Sequence, residues 1–140
     1  MIRLEALVLA IGKMNGAWDD PESLAFRLCN PLLLKTYRPE KKVDSDYNRV
    51  FTSVMGGFRA GVADLQAKSS GKNNRLSTNN TLRDLLALFG FKNDATIRKI
   101  VLFLRRALQD ESVSANTELG WFTEIPQVEN SLVGEGEQNG

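Results

Sequence analysis

The side chains in this sequence best suited to chemistry are cations. Lys35, Arg38, Lys41 and Lys42 form one group, Lys68, Lys72 and Arg75 a second, Arg98, Lys99, Arg105 and Arg106 a third, while Arg49 and Arg59 stand apart. Lysine and arginine drawn from several elements can hold phosphates without any catalytic geometry. Taken singly, each is better read as solvated surface charge, and it is their combination that points to phosphates. Enzymatic alternatives find few residues to use. With no histidine in the chain, neither a Ser-His-Asp nor a Cys-His site can form. Glu40-Lys41-Lys42 spells the E-x-K core of a metal-dependent nuclease, with Asp20-Pro21 upstream. That chemistry needs paired strands that converge carboxylates on one metal, whereas here the first element opens a helix and the second lies in a loop. Ser69-Ser70-Gly71-Lys72 lacks the strand and first glycine of a phosphate loop. The expectation is a non-enzymatic protein with no catalytic residue, cofactor, metal site, membrane contact or small-molecule substrate.

Charge is unevenly spread along the 140 residues. All 18 Lys and Arg lie in residues 1–106, and from Ala107 onward there are seven acidic residues and no basic one. A basic body with an acidic end suggests that the body meets a polyanion, the end acting as a solubilising tail or an intramolecular competitor. Hydrophobic residues make up 42% of the chain, enough for one domain with its own core. No uninterrupted apolar run reaches the ~18 residues of a membrane span, and the N-terminus lacks the order of a secretory signal. The single cysteine, Cys29, allows no intrachain disulfide. A cytoplasmic, reducing location is expected.

These cations must be positioned by helices. Ile2, Leu4, Leu7, Val8, Ile11 and Met14 are spaced for one buried side, ending at Asn15-Gly16. Asp20-Pro21-Glu22 predicts a helix start, and Asn30-Pro31 a stop near Arg27 or Leu28. Lys35–Lys42 reads as a basic loop, interrupted by Pro39. Ser69–Arg75 is a polar loop. A further helix runs from a cap among Thr78–Asn80 through Leu82, Leu85, Leu86 and Phe89 to Gly90. Asn93 caps the last one, whose stripe is Ile97, Ile100, Val101, Leu104 and Leu108, with Arg98, Lys99, Arg105 and Arg106 outward. Trp121, Phe122 and Ile125 form a small anchor. The fold class is therefore all-α, a compact bundle of about five helices over residues 1–125, with 126–140 a disordered acidic tail.

Ser45–Lys68 reads as the longest helix and the organising one. Its apolar stripe is Tyr47, Val50, Phe51, Val54, Met55, Phe58, Val62 and Leu65, and its other side carries Gly56, Ala60, Ala63 and Ala67 beside Arg49 and Arg59. Gly56, Gly57 and Gly61 each cost a helix up to about 1 kcal/mol against alanine, which implies a close contact at that surface. Its neighbour is either a nucleic-acid backbone or another helix of the same bundle.

The run Asn30-Pro31-Leu32-Leu33-Leu34-Lys35-Thr36-Tyr37, followed by Arg49-Val50-Phe51, Gly57, Gly61, Asp64-Leu65, Lys68 and Ser70-Gly71, resembles the C-terminal helical region of the large subunit in type I-D CRISPR interference complexes. In that family the region is also made as a separate small subunit from an internal start codon, with which the abrupt start at Met1 agrees. The resemblance covers about residues 20–110, and its motifs are short. It implies a non-catalytic small subunit that stacks in several copies along an RNA-guided complex. Its partners would be further copies of itself, the large subunit, backbone subunits, guide RNA and target DNA. There it would stabilise the R-loop through contacts to the guide–target duplex or displaced strand, with base pairing supplying specificity. Among matched positions, Arg49 and Lys68 are then the residues expected nearest nucleic acid. A rival reading is a helical adaptor that docks on protein and never touches nucleic acid.

Overall fold

Residues 3–14 are apolar on almost every side, and this places them at the centre of the molecule. The computed structural model describes residues 2–72 and 75–124. In it α1 (Arg3–Met14) buries Leu4, Ala6, Leu7, Val8, Ala10, Ile11 and Gly12. A helix buried over most of its circumference, all but the side of Glu5, Leu9 and Lys13, must be covered by several neighbours. Here they are α3 (Val54–Ser69), α5 (Asp94–Leu108) and a 3-10 turn over Leu119–Thr123. Two short helices, α2 (Leu24–Arg27) and α4 (Leu82–Leu88), complete an all-α fold of five helices. Among the described residues there is no strand, only isolated bridges. No described helix is long and apolar enough to cross a membrane. Ile125 and the expected acidic tail lie outside the described residues.

The later helices begin and bury as their sequences require. Asn93 caps α5, its side-chain oxygen accepting from the amides of Ala95 and Thr96 at 2.8 and 3.3 Å. Ile97, Ile100, Val101 and Leu104 are buried. The cap of α4 falls at Thr81 rather than in 78–80, because Thr81 and Asp84 form a reciprocal capping box. Phe122 is buried against the core, and Arg3 lies 3.7 Å from the Trp121 ring centroid while donating to the Trp121 carbonyl at 2.7 Å.

Three further expectations are corrected. The organising element is α1, whose burial extends to Ala6, Ala10 and Gly12 beyond a single side. The start of α2 is set by Ser23, which accepts from Phe26 N–H at 3.1 Å; Asp20 instead closes a turn on Glu22. Most consequentially, the helix expected from Ser45 begins only at Val54, capped by Ser53. Its stripe is kept only in part: Tyr47, Val54 and Met55 are about half exposed, while Phe58, Val62 and Leu65 pack in or against the core. The buried line of α3 is Gly57, Gly61, Leu65 and Ser69.

Candidate nucleic-acid interface

The reason Ser45–Ser53 leaves the helix lies in two polar side chains. Asp44 accepts hydrogen bonds from the backbone amides of Asp46 and Asn48, each at 2.9 Å, and from the Asn48 side chain at 3.2 Å. Such local bonds offer the backbone an alternative to a helix. Asn30, fully buried, supplies the long-range half of the argument. Its amide donates to the carbonyls of Leu34 and Arg49, each at 3.0 Å, and its side-chain oxygen accepts from Leu34 N–H at 2.9 Å. Arg49 N–H donates to Leu34 at 2.8 Å and Thr36 N–H to Tyr47 at 3.0 Å. With the bridge Lys35–Asn48, these bonds lay residues 47–49 antiparallel to 34–36, and the bridge Val43–Arg49 folds Val43 back onto the same segment.

Gly57 and Gly61 then explain how this corner docks on α3. A Cβ at Gly57 would stand 1.7 Å from the Cys29 carbonyl oxygen, so that carbonyl rests directly on the helix backbone. At Gly61 a Cβ would meet Val8 at 3.2 Å and Leu32 at 3.4 Å. The close contact expected of the interior glycines is present at these two positions, and the neighbour is this chain's own Cys29–Leu32 segment. Cys29, Leu33 and Tyr47 all take positive φ (53°, 55° and 66°). Non-glycine residues held there cost of order 1–3 kcal/mol each and tend to gather at functional sites.

The packed corner leaves two adjoining hollows beside α3. One, about 390 Å³, is lined by Lys35, Arg38, Lys41 and Arg49 over Leu34, Ala60 and Ala63. The other, about 520 Å³, carries Lys35, Lys68 and Arg75 beside Tyr37 and Phe89. Leu34, Lys35 and Asp64 belong to both. Six cations thus face one carboxylate, Asp64, which is itself paired with Lys68 at 2.6 Å. Small side chains at Ala60 and Ala63 leave room above the helix for a ligand backbone. The Arg49 guanidinium lies 4.5 Å from the Phe51 ring centroid, which fixes its stem while its charge lines the hollow.

The cations expected from the sequence therefore divide. Lys35, Arg38, Lys41, Arg49, Lys68 and Arg75 converge on the hollows. Arg49 does so from the loop, not from a shared helix face with Arg59. Lys42, Arg59 and Lys72 are exposed outside the lining of either hollow. Of the α5 group, Arg105 is half-buried and its Nε donates to the Val113 carbonyl at 2.7 Å, a structural tie rather than an outward charge. Lys99 and Arg106, with Lys13, border a separate apolar groove of about 300 Å³ between α1 and α5, while Arg98 is exposed beyond it. What sequence reasoning missed is Asn30, whose only signal was its place before Pro31 in an apolar run. Comparison with known proteins adds no neighbour to this geometry: no family model, no curated protein and no solved structure matches the chain.

Proposed function

We propose that this chain is a non-catalytic helical subunit of an RNA-guided DNA-targeting complex of the CRISPR type, holding nucleic-acid backbone in the basic hollow beside α3. The observation that carries the reading is the convergence of Lys35, Arg38, Lys41 and Arg49 around a floor of small side chains, with Asp64 the one carboxylate. Phosphates suit such a lining, since several point charges and forked guanidinium groups can each neutralise one oxygen. The resemblance adds support of its own kind. Asn30, Leu32, Leu34, Lys35, Arg49, Gly57, Gly61, Asp64 and Lys68, all residues of the resembling run, build or line this corner. Within such a complex the chain stabilises the R-loop without reading base sequence, alongside guide RNA, target DNA, further copies of itself and the large and backbone subunits.

The test is binding of the purified chain to single-stranded and R-loop DNA across a salt series. Affinity should fall steeply with salt, show little base preference, and drop on Arg38→Glu with Arg49→Glu while the helical circular dichroism is retained. A second reading, a helical adaptor that binds protein alone, is favoured by the apolar groove lined by Met14, Ile100, Leu102 and Phe103. Co-purification separates the two. Bound RNA with repeated backbone-type subunits supports the first, and a single protein partner free of nucleic acid supports the second.

A further inference from the structure

We infer that Tyr37 and Tyr47 form a stacking platform for an unpaired nucleobase at the edge of the basic hollow; this rests on reading that hollow as a phosphate site. Large aromatic side chains normally hide most of their surface. Tyr37 is 74% exposed and Tyr47 50%, yet their ring centroids lie 4.8 Å apart at an interplanar angle of 44°. Two tyrosines thus meet in solvent, where their contact buries little from water.

Their placement is held by the backbone. Thr36 N–H donates to the Tyr47 carbonyl at 3.0 Å, and Tyr47 N–H to the Asp44 carbonyl at 3.2 Å. Tyr47 keeps a φ of 66°, a conformation a bulky residue adopts only when its surroundings impose it. The Asp44 carboxylate bonds on either side of Tyr47, to Asp46 and Asn48, impose it here. Tyr37 lines the hollow with Lys35 and Lys68, two residues after Lys35 and one before Arg38. A strand whose phosphates rest on these cations would therefore carry its bases past the rings.

The chemistry selects among nucleic acids. Bases inside a duplex are already stacked on one another, so only an unpaired base can offer its face to a ring. Such stacking tolerates any base, in keeping with a site that does not read sequence. The ligand class is a single strand.

The experiment compares an oligothymidylate with an abasic oligonucleotide of equal length and phosphate count, by fluorescence anisotropy with the full chain. The native protein should bind the oligothymidylate about tenfold more tightly. That preference should disappear in Tyr37→Ala/Tyr47→Ala and return in Tyr37→Phe/Tyr47→Phe, which keeps the rings. Truncation at positions this exposed leaves the core intact, and circular dichroism verifies it. Equal binding of both oligonucleotides by the native protein overturns the platform, as does a preference that survives loss of both rings. If Arg38→Glu/Lys41→Glu still weakens both ligands in that case, the phosphate site stands without the platform. Failure of the native protein to bind either oligonucleotide overturns both.

Discussion

Asn30 shows how one buried side chain can decide the shape of a site several residues away. Its three hydrogen bonds tie Leu34 and Arg49 together and leave none of its polar atoms idle. Replacing it by alanine takes the partner from the Arg49 carbonyl and the Leu34 amide, while the Leu34 carbonyl keeps its bond from Arg49 N–H. We expect Asn30→Ala to destabilise the protein by about 2–3 kcal/mol, read by urea denaturation, because each buried group left unpaired costs its desolvation. Gly57 is a second single-residue determinant. Gly57→Ala should cost about 3 kcal/mol, since backbone rather than a side-chain tip occupies the space its methyl needs. Gly61→Ala should cost far less. The atoms it meets belong to the movable side chains of Val8 and Leu32, and alanine returns up to about 1 kcal/mol of helix propensity.

At the scale of elements, the sequence is most legible where periodicity and capping agree. In α5 the 3.6-residue stripe, the Asn93 cap and the cations Arg98, Lys99 and Arg106 on the outward side all point to one helix, and that helix forms. Residues 45–53 are illegible for a physical reason. Their apolar spacing fits a helix, but bonds to Asp44, four or fewer residues away in sequence, and to Asn30, 19 residues before Arg49, hold them in a turn and a short antiparallel pairing. Local periodicity cannot register the second of these. The convergence of Lys35 with Arg49 is hidden with it, although each cation is evident by type. The Asp44→Ala variant offers a test with an unexpected sign. Removing a negative charge should by itself favour a polyanion, yet we expect nucleic-acid binding to weaken because the loop that aims Arg49 and Tyr47 loses its anchor.

Acid should act on the same elements. Desolvation pushes the Asp44 carboxyl up, but hydrogen bonds from the Asn48 backbone, the Asn48 side chain and the Asp46 backbone, with Lys35 nearby, bring it below the ordinary aspartate value. Asp84 is lowered by its bonds from Thr81 and Asn80, and Asp110 by those from Ser112. In each case the unfolded chain takes up a proton more readily than the folded one. The stabilisation is complete above the unfolded aspartate value and is lost as pH falls through the depressed folded values. Thermal unfolding midpoints should accordingly stay level down to about pH 4 and decline below it.

For the whole molecule, a central α1 buried over most of its surface leaves the outer helices free to carry charge on their exposed surfaces. The excess of cations before residue 107 is not spread evenly over that surface; six of them line one pair of hollows. Lys99 and Arg106, at the α1/α5 groove, lie apart from it. Charge reversal there should weaken nucleic-acid binding less than reversal of Arg38 and Arg49. The most direct measurement of the central claim is the dependence of single-strand affinity on salt for the native chain and for Arg38→Glu/Arg49→Glu. A steep native slope, made shallower by about 0.7 for each phosphate the variant no longer neutralises and accompanied by weaker binding, is the predicted result. Identical affinity and slope for the two proteins would contradict it.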